Sequence, residues 1–115
     1  MKAFLNIILM LFCVAAFSQE QKVEYTKVDN NLTKATYYFT DNSDVIEREG
    51  FFNKNEKLHG MWVSYNVEGE KTSIAYYNNG KKDGVWSYFK EGKVSLVTYD
   101  NNKIISVVEK IVAVN

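Results

Sequence analysis

The sequence predicts an all-β protein, an antiparallel meander of repeated β-hairpins forming a single twisted sheet. Three observations carry this reading. Asn79-Gly80-Lys81-Lys82-Asp83-Gly84-Val85-Trp86 lies over Asn55-Glu56-Lys57-Leu58-His59-Gly60-Met61-Trp62 at one offset, because Gly84 and Trp86 each follow Gly60 and Trp62 by 24 positions. β-Branched and aromatic residues, the latter 15% of the chain, gather in short runs separated by Asn, Asp and Gly. Beyond the N-terminal segment, no stretch supports a good helix.

The elements follow in chain order. Met1 and Lys2 give a positive start, Leu5 to Phe17 is apolar apart from Asn6, and Ala16-Phe17-Ser18 sets small residues before Gln19. That pattern predicts a cleavable signal peptide over residues 1–18 and export to the periplasm or beyond. The apolar run falls short of the roughly 20 residues a spanning helix needs, so no transmembrane segment is expected after cleavage. Cys13 is the one cysteine, so the exported chain would carry neither a disulfide nor a thiolate nucleophile. Residues 19–33 read as an N-terminal strand or leader, and 34–115 as the repeat domain.

Strands are predicted at Val23–Asn30, Leu32–Thr40, Val45–Asn53, Gly60–Asn66, Lys71–Asn78, Val85–Lys90, Lys93–Asp100 and Ile104–Val114, paired neighbour to neighbour. A weak early copy of the unit runs through Tyr37-Tyr38, a turn at Asp41-Asn42-Ser43-Asp44, and Glu49-Gly50-Phe51-Phe52. In the last copy Asn102 replaces the turn glycine, a substitution the left-handed conformation tolerates. Trp62 and Tyr65 differ in parity whereas Trp86 and Tyr88 share it. Rings are therefore expected on both faces, where they can shield a sheet that has no second layer.

The strings Asn79-Gly80-Lys81-Lys82-Asp83-Gly84-Val85-Trp86-Ser87-Tyr88-Phe89 and Asn55-Glu56-Lys57-Leu58-His59-Gly60-Met61-Trp62 resemble the MORN-repeat variant of small bacterial proteins, including the YwqK-type antitoxin group. The resemblance spans roughly residues 34 to 104, and Glu56 stands where the repeat has glycine. It implies a stack of MORN-like hairpins that binds something, with no catalytic residues to carry over. Gly60, Trp62, Gly84 and Trp86 are its structural repeat positions.

Composition narrows the chemistry further. Fourteen basic residues balance 14 acidic ones, which argues against a nucleic-acid binder, and 46% hydrophobic content is that of a globular domain. His59, the lone histidine, sits in a turn where the next copy has Asp83, and reads as a solvated turn residue. A zinc site lacks ligands. Glu47 and Glu49 share a strand face, but beside Arg48 they read as a solvated edge and not as a hydrolase pair. Nucleotidyl transfer lacks both its histidine signature and a phosphate loop. No catalytic, metal or cofactor residue is expected, and no enzyme.

Stacking the unit predicts that turns of one kind share an edge. Lys57, Lys81, Lys82 and Lys103 should then lie along one edge, and Asp41, Asp44, Glu68, Glu70 and Glu91 along the other. The expected function is an exported, non-catalytic binding or scaffold module whose partner is a protein or an anionic envelope surface. The alternative is an antitoxin-like inhibitor that masks a dedicated protein.

Overall fold

The computed structural model describes residues 20–112; the expected signal peptide, its cleavage site and Cys13 lie outside them, as does Val114. The described chain is β1 (Val23–Asp29), β2 (Leu32–Phe39), β3 (Asn42–Asn53), β4 (Gly60–Tyr65), β5 (Lys71–Asn78), β6 (Lys81–Lys82), β7 (Gly84–Lys90), β8 (Lys93–Asp100) and β9 (Lys103–Ile111). They form one antiparallel sheet ordered β1-β2-β3-β4-β5-β7-β8-β9, with the short β6 pairing the end of β5. Among the described residues the sheet is not closed into a barrel and ends at β1 and β9, and the molecule measures 64 × 37 × 27 Å.

Hairpin chemistry accounts for this meander. Asn79 and Gly80 both have positive φ (54° and 87°), as do Asn101 and Asn102 (54° and 76°), the conformation of tight two-residue turns matched to strand twist. Asn53 and Asn66 open the wider turns through their side chains instead. The Asn53 side-chain oxygen accepts the N–H groups of Asn55 and Lys57, and that of Asn66 accepts those of Glu68 and Glu70.

Two departures from the sequence expectation have local causes. β3 begins at Asn42, inside the stretch expected to turn, because irregular pairing around Tyr38 lets Phe39 meet Asn42. β6 was absent from the expected strands; two residues pairing with Tyr77 and Asn78 give no pattern of their own. The proposed boundary after residue 33 falls within β2, and Val23–Asp29 of the N-terminal segment is a full strand of the sheet.

The core is a lateral row across one face. The register pairs Ala35 with Gly50, Trp62 with Ala75, Trp86 with Val97 and Val97 with Val107. Continuing the pairs Glu49–Val63 and Ile74–Ser87 by one step sets Gly50 opposite Trp62 and Ala75 opposite Trp86. Small residues thus alternate with indoles, and the indoles supply the cover that a second layer would give. Ala35, Trp62, Ala75, Trp86, Val97 and Tyr99 are buried together, with Tyr37, Phe52, Leu58, Tyr77 and Tyr88 packed around them. Met61 and Tyr76, also a cross-strand pair, lie on the opposite face, so rings do occupy both sides.

Candidate interaction surface

The two tryptophans are built alike. Trp62 donates its indole N–H to the Phe51 carbonyl and Trp86 to that of Tyr76, each at 2.9 Å. Phe52 meets Trp62 edge-on at 5.2 Å, and Tyr77 meets Trp86 at the same distance. A cation lies over each indole: the Arg48 guanidinium 5.6 Å from the Trp62 ring centre, and the Lys82 ammonium 5.1 Å from that of Trp86. Trp62 and Trp86 are 4% and 6% exposed, so they hold the fold and present no platform to a ligand.

Surrounding tyrosines share this apolar setting. Burial first, and then a hydrogen bond with Tyr99, pushes the Tyr88 hydroxyl well above its ordinary range. Burial likewise raises Tyr77, Tyr37 and Tyr65, the last also through its hydrogen bond to Glu49 at 3.1 Å. Of these phenols, Tyr65 donates to a carboxylate, that of Glu49.

The turns between β3 and β4, between β5 and β7, and between β8 and β9 lie at one end of the sheet and bond directly to one another. Gly80 N–H donates to the Leu58 carbonyl at 2.8 Å, and Asn102 N–H to that of Lys82 at 2.9 Å. Asn53 donates its side-chain amide to Asn79, Asn79 N–H donates to Nδ1 of His59, and Lys82 N–H donates to the Asn102 side chain. His59 is thus a structural acceptor in this ladder as well as a turn residue, a role its neighbours in sequence do not reveal.

Along this ladder lie Lys57 in the β3–β4 turn, Lys81 at the start of β6 and Lys103 at the start of β9, all three exposed. Lys82 is in the same turn as Lys81, but its ammonium folds back over Trp86 and Tyr99, 5.1 and 5.2 Å from the ring centres. Its charge therefore faces the core. Asp83 and Asp100 flank the row, and at the far end Lys71, Lys90 and Lys93 accompany Asp44, Glu68, Glu70 and Glu91, so both ends are mixed.

Gly60 and Gly84 lead into the two tryptophan strands with φ of 80° and 83°, opposite Tyr77 and Tyr99. Gly50, in the weak early copy of the repeat, lies directly beneath the Trp62 indole, a role its local sequence does not reveal. Among the described residues no three of His, Cys, Asp and Glu gather closely enough to hold a metal ion, and no helix is long and apolar enough to cross a membrane. No family model, curated protein or solved structure matches this chain.

Proposed function

We propose that the chain is an exported, non-catalytic β-repeat scaffold of the periplasm or cell envelope that binds an anionic partner along its ladder of lysine-bearing turns. The observation that supports this reading is the hydrogen bonding between successive turns, which ties together the backbone segments that carry Lys57, Lys81 and Lys103. Each exposed lysine near an anionic surface contributes about 1 kcal/mol. Export rests on the N-terminal pattern of residues 1–18, and the scaffold role on the resemblance of the repeat unit to MORN-type hairpins.

Co-sedimentation with phosphatidylglycerol vesicles tests the charge mechanism. Binding should be present at low salt, fall at high salt, and be lost on changing Lys57, Lys81 and Lys103 to glutamate, with phosphatidylcholine vesicles giving no pelleting. Equal binding by the variant, or insensitivity to salt, rejects it. A partner protein in place of lipid would give salt-sensitive capture from the envelope fraction and no vesicle binding. The antitoxin-like reading rests on the family resemblance alone; it requires an adjacent coding sequence whose product is toxic and is neutralised by co-expression of this chain.

A further inference from the structure

Among the described residues one sulfur atom is present, that of Met61; Met1, Met10 and Cys13 lie outside them. Met61 sits in β4, cross-strand from Tyr76 in β5, on the face opposite the indole row. It is 44% exposed and lines a small cavity of about 140 Å³ together with Lys34, Glu49, Gly50, Phe51 and Val63. The thioether side chain is thus open to a small oxidant in the folded chain.

The backbone of Tyr76 is anchored to the indole row. Its carbonyl accepts the indole N–H of Trp86 at 2.9 Å and the Asp83 N–H at 3.0 Å. On the other face its hydroxyl donates to Sδ of Met61 at 3.7 Å. A thioether is a weak acceptor, so this contact adds little to the fold as it stands. The same distance suits an oxidised sulfur, because an O–H···O contact of about 2.7 Å that meets an S–O bond near the trigonal angle spans it. The hydroxyl is therefore placed to receive a sulfoxide oxygen without a shift of either strand.

We propose that Met61 is a modification site, at which a hydroperoxide converts the thioether to a sulfoxide that the Tyr76 hydroxyl then holds while the fold stays intact. In this step an Sδ lone pair attacks one peroxide oxygen, the O–O bond breaks and an S–O bond forms. The departing oxygen takes up the proton of the transferred one and leaves as water or, from an organic peroxide, as an alcohol. Sulfur gives up two electrons and the peroxide is reduced. Oxidation makes an apolar side chain polar, which disrupts packing where the methionine is part of a core. Met61 faces outward and its new oxygen has a donor within reach, while Trp62 and Trp86 form the core on the opposite face. The site stands apart from the lysine row, and loss of vesicle binding would leave it untouched.

Treatment of the purified protein with hydrogen peroxide, followed by peptide mapping, tests it. Met61 should gain one oxygen at a rate comparable to that of free methionine. Urea melts before and after treatment should both show one cooperative transition, with Met61→Leu correcting for oxygen added at Met1 or Met10. Oxidation should be less favourable in Tyr76→Phe than in the parent by roughly two- to tenfold in the unfolding equilibrium constant, the worth of one hydrogen bond. Tyr76 is 40% exposed, and its phenylalanine variant keeps the ring. Met61→Gln supplies a second measurement that needs no oxidant, since its side-chain carbonyl stands in for the sulfoxide oxygen and should show the same dependence on Tyr76. A Met61 that stays unoxidised while free methionine is consumed overturns the proposal. So does loss of the parent's cooperative transition on oxidation, an equal response of the parent and Tyr76→Phe, or a Met61→Gln variant indifferent to Tyr76→Phe.

Discussion

The indole of Trp62 rests on the backbone of Gly50: a Cβ built at Gly50 would lie 2.0 Å from Cδ2 of Trp62 and 2.3 Å from Cε2. At the corresponding position under Trp86 the chain has Ala75. The two halves of the repeat therefore match in hydrogen bonding and ring contacts while differing in how closely the indole approaches the neighbouring strand.

Gly50→Ala should destabilise by about 3 kcal/mol, the upper end for overpacking, because neither the sheet backbone nor a buried indole can give way by more than an ångström. Denaturant melts measure it. Combining Gly50→Ala with Trp62→Leu should cost less than the sum of the two single changes, since the smaller side chain removes the clash.

Trp62→Ala and Trp86→Ala should each cost on the order of 3 to 5 kcal/mol, enough to unfold a domain of this size. In thermal melts both variants should lose their cooperative transition or show it far below that of the parent. Parent-like melting of either would contradict the row of alternating indoles and small residues as the core.

Glu56 holds a φ of 62°, in the left-handed region that favours glycine. Glu56→Gly should therefore be neutral or stabilising by up to about 1 kcal/mol in chemical denaturation. Gly84, with φ 83°, predicts the opposite: Gly84→Ala should destabilise by about 1 to 2 kcal/mol although space for the methyl exists, its nearest contact being Tyr76 Cβ at 3.6 Å.

The raised tyrosines predict loss of stability in alkali. Tyr88, Tyr77, Tyr37 and Tyr65 titrate above their ordinary value of 10.0 in the folded chain, chiefly through burial. Below pH about 10 each is neutral in both states and its contribution is fully present; above it the unfolded chain ionises first and stability falls as pH rises. Urea midpoints from pH 8 to about 11 should decline, and Tyr88→Phe should decline less steeply. A flat profile would remove the phenols from the energetics of this face.

All strands but β6, most of the turns and the 24-residue repeat offset were legible in the sequence, because each is set locally: β-propensity over a few residues, and left-handed turn positions such as Asn79-Gly80 and Asn101-Asn102. Parity was legible too, since Trp86 and Tyr88 share a face with ring centres 6.1 Å apart, while Tyr65 reaches Glu49 on the other side. Only the tertiary structure decided that Gly50 underlies Trp62, that Lys82 turns over Trp86 and leaves the basic row, that His59 accepts from Asn79, and that β9 is the last strand of the sheet among the described residues. Each of these joins residues on different strands. Their pairing depends on register, and a single irregularity such as the one near Tyr38 shifts which side chains meet, so strand pattern alone could not fix the contacts.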